Sequence, residues 1–98
     1  MGEVTDYPEV RCDVQEVVPP LDRIAELRDV ERRLHQIHVP KNMIRRRASE
    51  DYLPIGIVKI HRRKRLALIE FPKESGQGTN RAWVRFGELW HEIEPVAV

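Results

Sequence analysis

The stretch IVKIHRRKRLALIEF, residues 57–71, places five consecutive cationic or titratable side chains between two runs rich in Ile, Leu and Val. The flanking runs carry the aliphatic and β-branched residues that strands favour, so they predict two paired strands. Residues 61–65 then occupy the connecting turn and point into water. Such a charged turn either contacts an anionic partner or only keeps a strand pair soluble and discourages edge pairing.

The chain downstream of this hairpin continues with strand patterns. Strands are predicted over residues 55–60, 66–71 and 82–86, with a last short strand near 90–93. The segment PKESGQGTN, residues 72–80, is rich in turn formers and joins the second strand to the third. Consecutive strands with short connections predict a small antiparallel meander, and such a sheet can close into a barrel.

The ending WVRFGELWHEIEPV, residues 83–96, resembles that of SH3-like barrels, including the KOW type found in nucleic-acid-associated proteins. The resemblance covers residues 54–96 and implies a barrel with a tight turn before its last strand. The chain departs from the KOW pattern because residues 61–65 stand where a glycine is expected midway through the first hairpin. It also lacks the acidic run and paired tyrosines of peptide-binding SH3 domains, so binding of proline motifs is not expected.

Residues 19–40 predict an amphipathic helix. Apolar side chains recur at intervals of three and four residues, and charged side chains fall between them. Pro19 and Pro20 suit the first turn of a helix, and Pro40 disfavours helix at Val39. The apolar positions are Leu21, Ile24, Leu27, Val30, Leu34 and Ile37.

The remaining segments complete one compact domain. Residues 1–18 are predicted to form an acidic N-terminal segment with one short strand, suited to a sheet edge, in which Val10, Cys12 and Val14 share a face. Residues 41–54 predict a basic linker. The expected fold is therefore α+β: one amphipathic helix followed by a small antiparallel SH3-like β-barrel or meander over residues 55–98.

Composition and charge exclude several classes of protein. The 98 residues are 41% hydrophobic and 34% charged, which is typical of a folded globular protein and not of a disordered tail. No apolar run approaches the roughly 20 residues that cross a bilayer, and the acidic start does not match a signal peptide. A single cysteine, Cys12, agrees with a reducing compartment. We expect a cytoplasmic protein with no membrane partner.

The net charge of +1 hides a strong division along the chain. Residues 1–30 hold eight acidic and three basic side chains, residues 31–65 hold three acidic and eleven basic, and residues 66–98 hold five acidic and three basic. The net charges of these segments are therefore −5, +8 and −2. A middle segment at +8 predicts a local positive field and an anionic partner.

The residues predicted to contact nucleic acid or an acidic partner share a positive charge and lie in this middle segment. Lys and Arg clusters bind phosphates by releasing condensed counterions, with little dependence on base sequence. The set comprises Arg45, Arg46, Arg47, Lys59, Arg62, Arg63, Lys64 and Arg65. If Val84 and Phe86 fill the core, Trp83 is exposed, and we predict Trp83 and Trp90 as protein-interface residues.

The sequence does not point to catalysis, a metal site or a cofactor. Cys12 has no local context for an activated thiol, and the SGQGTN loop lies between strands, not at the start of a helix. The pair His35 and His38, with His61, His91 or Cys12, lacks the close paired spacing of a zinc site. We expect no enzyme activity and no small-molecule substrate.

Two binding functions remain. The first is a non-enzymatic module that contacts nucleic acid, or a nucleoprotein complex, through its basic hairpin. The alternative is an adaptor, assembly subunit or inhibitor that docks on a larger protein complex through its helix and exposed tryptophans. The sequence leaves open whether the nucleic acid is DNA or RNA, and whether the two basic clusters converge in space.

Overall fold

The computed structural model describes residues 8–16 and 22–90, and almost all of its regular structure is β. Two single 3₁₀ turns, Lys41–Met43 and Phe86–Glu88, interrupt the strands. The strands are β1 (Glu9–Glu16), β2 (Asp22–Arg28), β3 (Leu34–Pro40), β4 (Arg45–Arg47), β5 (Glu50–Pro54), β6 (Gly56–His61), β7 (Leu66–Glu70), β8 (Arg81–Arg85) and β9 (Leu89–Trp90). No helix of the described part is long and apolar enough to cross a membrane.

The strands form two antiparallel sheets. The larger sheet has the order β3-β2-β1-β5-β4, with β9 also paired to the first residues of β1. The smaller sheet has the order β6-β7-β8. Ile55 alone separates β5 from β6, and its N–H donates to the carbonyl oxygen of Pro8 at 3.0 Å. The chain therefore passes from one sheet to the other within a single residue.

Both sheets contribute to one hydrophobic core. The larger sheet supplies alternate residues of β1, β2 and β3, and the smaller sheet supplies alternate residues of β7 and β8. The most deeply buried large side chains are Ile37, Leu53, Ile69, Val10, Val39 and Val84. The period of two in these strands is what a sheet with one buried face requires.

The predicted helix over residues 19–40 is wrong, and with it the α+β class. Residues 22–40 form the β2–β3 hairpin, in full register from Asp22 opposite Pro40 to Arg28 opposite Leu34. A period of two is also present, because Ala25 and Leu27 alternate with Glu26 and Arg28, although Ile24 then falls on the opposite face. Tertiary packing selects the strand, which buries Ala25 and Leu27 in the shared core.

Asp29 organises the turn that breaks the predicted helix. Its Oδ1 accepts the N–H of Glu31 at 2.8 Å and of Arg33 at 3.0 Å, as Asp does when it begins a turn. Arg32 takes the left-handed conformation, with φ of 68°. These bonds reverse the chain at the point where the helical pattern continues, because a side-chain acceptor competes with the backbone ladder.

The predicted linker over residues 41–54 is instead largely a second hairpin of the larger sheet. β4 pairs with β5, with Arg45 opposite Tyr52 and Arg47 opposite Glu50. The two residues between them, Ala48 and Ser49, have φ of 50° and 74°, as a two-residue hairpin turn requires. The basic run therefore lies on the outermost strand of the sheet.

The strand predicted around Val10, Cys12 and Val14 is present as β1, but it is central and not at an edge. It lies between β5 and β2, and both Val10 and Cys12 are buried. The predicted acidic end, the start of the predicted helix and the end of the predicted last strand fall in residues 1–7, 17–21 and 91–98, outside the described residues.

The region that resembles an SH3-like barrel does not form one among the described residues. β6, β7 and β8 make the expected antiparallel meander, but β6 and β8 remain its two outer strands. β9 leaves the meander after the 3₁₀ turn and pairs with β1, so that Val10 lies opposite Leu89. Residues 55–90 therefore complete their core against the larger sheet instead of closing on themselves.

Candidate nucleic-acid interface

The basic turn connects β6 to β7 and is fully exposed to solvent. Its geometry is held by the N–H of Arg65, which donates to the carbonyl oxygen of Arg62 at 3.1 Å, and by the left-handed φ of 59° at Arg65. Arg62, Arg63 and Lys64 are exposed, and their side chains make no hydrogen bond or ion pair with the described residues. Their charges are therefore available to a partner.

Most other arginines of the described part are already neutralised by carboxylates. The pairs are Arg11–Glu88, Arg23–Glu16, Arg33–Glu31, Arg46–Asp51, Arg47–Glu9 and Arg81–Glu70. Residues 55–69, in contrast, contain no Asp or Glu. The hairpin of β6 and β7 is thus a concentration of cations whose one carboxylate, Glu70, ends β7 far from the turn and pairs with Arg81.

A β-bulge at Val58 decides which residues of β6 lie on the outer face of the smaller sheet and which lie on its core face. Ile57 lies opposite Ile69 and Lys59 lies opposite Leu68, so one extra residue is inserted between the two pairs. Without the bulge, Lys59 would point to the same side as Ile57, which belongs to the core face. The bulge therefore directs Lys59 and His61 to the outer face.

The outer face of the smaller sheet carries three cross-strand rows. Gly56, Glu70 and Arg81 form the row farthest from the basic turn, and Glu70 pairs there with Arg81. Lys59, Leu68 and Trp83 form the middle row, and His61, Leu66 and Arg85 form the row beside the turn. The face therefore combines an indole and two aliphatic side chains with cations from β6 and β8, beside the basic turn.

Arg65 links the turn to the end of β8. Its guanidinium carbon lies 5.8 Å from the centroid of the Phe86 ring, within the range of a cation–π contact. The N–H of Phe86 also donates to the carbonyl oxygen of Arg65 at 3.1 Å. Arg65 is exposed as well, but its guanidinium contacts the Phe86 ring, so it is a poorer phosphate contact than its three neighbours in the turn.

Trp83 is half-buried and borders a cleft of about 370 Å³, which we call the Trp83 cleft. The cleft lies where the β2–β3 turn meets the edge of β8, and the N–H of Val30 donates to the carbonyl oxygen of Trp83 at 2.8 Å. Its lining combines apolar and neutral polar side chains with four charged ones: Asp29, Val30, Glu31, Arg33, His35, Leu68, Gln77, Thr79, Arg81, Ala82 and Trp83. One end of the outer face thus has a concave site beside its aromatic residue.

The second predicted cluster, residues 45–47, does not add three cations to this surface. Arg47 donates from Nε to Glu9 Oε1 at 2.7 Å and from Nη2 to Glu9 Oε2 at 2.9 Å. Arg46 bonds to Asp51 at 3.2 Å, and Arg45 alone is exposed without a described partner. The cluster lies on β4, in the other sheet, and two of its three charges are already neutralised.

Trp90, the other predicted interface residue, packs within the molecule. Its ring lies 5.7 Å from that of Tyr52, and the guanidinium of Arg47 lies 5.7 Å above it. Its Nε1 is buried without a hydrogen-bond partner among the described residues. An interface role for Trp90 stays a prediction, whereas its structural role in this cluster is visible.

Arg85 and the cleft residues Gln77 and Thr79 were not predicted. The signal for Arg85 is simple: it lies two positions after Trp83, so both side chains share one face of β8. Gln77 and Thr79 belong to a turn-rich loop whose path depends on a contact with β3, where the N–H of Gly76 donates to the Gln36 carbonyl at 2.8 Å. No local pattern indicates such a contact.

The histidines do not assemble a metal site in the part of the chain that the structure describes. His35 is buried and its Nε2 lies 2.9 Å from Asp29 Oδ2, whereas the exposed His38 faces Asp22 at 3.2 Å. The two histidines are three positions apart in a strand, so their rings point to opposite faces. Burial, with the charges of Asp51 and Asp13, raises the pKa of the Cys12 thiol to about 12, which makes it a poor nucleophile.

Comparison with known proteins finds no matching family model, no matching curated protein and no matching solved structure.

Proposed function

We propose that the protein binds single-stranded nucleic acid with the basic turn and the outer face of the β6-β7-β8 sheet. The observation that carries the proposal is the contrast in pairing: Arg62, Arg63 and Lys64 are exposed and unpaired in a segment without carboxylates, while six other arginines pair with Asp or Glu. The paired arginines make contacts within the molecule that use their charge. These three have none among the described residues.

The composition of the outer face favours a single strand over a duplex. Proteins that bind single strands combine cations that follow the backbone with aromatic rings on which bases stack. Here Lys59 lies in the same row as Leu68 and Trp83, and Arg85 lies in the neighbouring row. The turn supplies phosphate contacts beyond one end of these rows, so a strand that crosses the sheet meets both kinds of contact.

The test replaces Arg62, Arg63 and Lys64 together with Ser. A control variant of equal charge change replaces Lys41, Lys73 and Arg32 with Ser, because these three are also exposed and lie outside the predicted binding set. Binding of fluorescently labelled single-stranded RNA, single-stranded DNA and duplex DNA is measured by anisotropy at several salt concentrations. Both variants should keep the unfolding temperature of the parent, since exposed charges contribute little to stability.

The turn variant should lose affinity for unrelated sequences, and its plot of log affinity against log salt should become shallower. Each lost phosphate contact reduces the slope by about 0.7 for a single strand, so three contacts reduce it by about 2. The control variant should keep most of the slope. Equal losses in both variants, or no binding of the parent to any of the three probes at low salt, would overturn the proposal.

A further inference from the structure

The walls of the Trp83 cleft are held by backbone hydrogen bonds from three separate segments. The bond from Val30 N–H to Trp83 O fixes the β2–β3 turn against β8. On the opposite side, the N–H of Ser75 donates to Thr79 O at 2.7 Å, and the loop is tied to β3 through Gln36. A cleft built in this way is present before a ligand arrives, which reduces the entropy lost on binding.

Two polar groups of the cleft lack partners among the described residues. The Oε1 of Gln77 accepts the N–H of Gln36 at 3.1 Å, which orients the amide and leaves its Nε2 donors unused. His35 Nδ1 is buried and has no hydrogen-bond partner. The cleft therefore offers free donors at its rim, and one of its lining residues, His35, holds a buried nitrogen without a partner among the described residues.

Asp29 determines which hydrogen-bonding role His35 Nδ1 plays. Although burial alone would raise its pKa, the hydrogen bonds from His35 and from the N–H groups of Arg33 and Glu31 hold the pKa of Asp29 below its ordinary value. The carboxylate only accepts, so the His35 nitrogen that faces it carries a hydrogen. In the neutral ring, Nδ1 is then a lone-pair acceptor.

We infer that the Trp83 cleft receives one nucleobase of the bound strand, which stacks on Trp83 and presents its hydrogen-bonding edge to Gln77 and His35. The apolar wall of Leu68 and Val30 suits a planar ring, and the free donor and free acceptor match the mixed donors and acceptors of a base edge. The inference rests on the proposed function. It adds base selectivity to an interface that phosphate contacts alone would leave indifferent to sequence.

The test compares affinities for single-stranded homo-oligomers of A, C and U, and of dA, dC and dT, all of one length and at one salt concentration. The parent should bind its preferred base about fivefold or more tightly than its poorest, the discrimination expected of one well-placed pair of hydrogen bonds. Binding should also quench tryptophan fluorescence, and Trp83→Phe should remove most of that quenching.

The decisive variant is Gln77→Glu, which keeps an oxygen for the N–H of Gln36 and removes the two free donors. Its control is Gln15→Glu, the same chemical change at an exposed position of β1. Because an added negative charge weakens all oligomers alike, the readout is the ratio of affinities between bases. Gln77→Glu should change this ratio threefold or more, and Gln15→Glu should leave it unchanged.

The outcomes separate the two proposals. If the oligomers bind but all bases have equal affinity, or if Gln77→Glu leaves the ratio as it is in the parent, the base-binding role of the cleft is refuted and the proposed function stands. If no oligomer binds at low salt, both fall together. Gln77 is exposed, so we expect both variants to unfold at the temperature of the parent.

Discussion

The ion pair between Glu9 and Arg47 gives the sharpest prediction about stability. The Glu9 side chain is only 6% exposed, and that of Arg47 is 31% exposed. Both Glu9 oxygens accept hydrogen bonds from the guanidinium, at 2.7 and 2.9 Å. Replacing Arg47 with Met keeps an unbranched side chain but removes the guanidinium from the Trp90 ring and leaves a buried carboxylate without this partner.

The expected loss in the free energy of unfolding follows from this burial. Breaking a buried ion pair by removing one partner costs about 3–5 kcal/mol, and the partial exposure of Arg47 reduces this to about 2–4 kcal/mol, because water can reach the vacated space. In the double variant Glu9→Gln with Arg47→Met no charge is buried. The double variant should therefore be more stable than Arg47→Met alone.

Urea unfolding followed by tryptophan fluorescence measures both variants, with circular dichroism as a second probe of two-state behaviour. The same proteins then enter the oligonucleotide assay. If Arg47 serves the fold and not the ligand, Arg47→Met should keep the salt slope of the parent under conditions where it is folded. A loss below about 1 kcal/mol, or a double variant less stable than the single one, would refute the reasoning.

Three further predictions concern turns and titrating groups. Replacing Ala48 and Ser49 with Asn and Gly should stabilise the protein by about 1 kcal/mol and raise its melting temperature by several degrees, because both positions have positive φ; an unchanged or lower melting temperature would count against the turn geometry. Cys12 should resist thiol reagents at pH 8 in the folded state. Rapid labelling of the native protein would contradict the burial. The folded pKa of Cys12 is raised to about 12 from 9.0, so burial of the neutral thiol contributes fully to the free energy of unfolding below pH 9. That contribution is lost as the pH rises towards 12. Asp29→Asn should lower the free energy of unfolding at neutral pH. The difference in this free energy between the variant and the parent should shrink as the pH falls from 3.8, the ordinary pKa, through the lowered pKa of Asp29. A difference that does not change with pH would show that the ionised carboxylate is not required.

The β6–β8 meander was predictable because its signals are local. Alternating aliphatic residues in β7 and β8, a charged turn and a turn-rich loop each act within a few residues, and strands are found close to the predicted positions. Closure of this meander into a barrel was not predictable in the same way. It depends on the partner of β9, which is β1, nearly eighty residues earlier in the chain.

Residues 22–40 show where local pattern fails. Leu27, Leu34 and Ile37 fit the helical period, and Leu27, Ile37 and Val39 fit the strand period, so periodicity alone has two solutions. The choice depends on burial: as strands, β2 and β3 cover the core that β1 and the smaller sheet leave open. Propensity is a weak prior when a long-range partner offers a larger buried surface.

The sequence by itself determined that the centre of the chain is strongly basic and that residues 61–65 lie on an exposed turn, because charge and strand alternation are properties of consecutive residues. Only the tertiary structure decided which of these charges remain available. Arg47 is neutralised by Glu9, 38 residues away, and Lys59 reaches the outer face through a one-residue bulge. Whether a cation is paired, and on which face of the sheet it lies, depends on which distant strand pairs with its own strand. That strand pairing is set by the shared core and not by local composition.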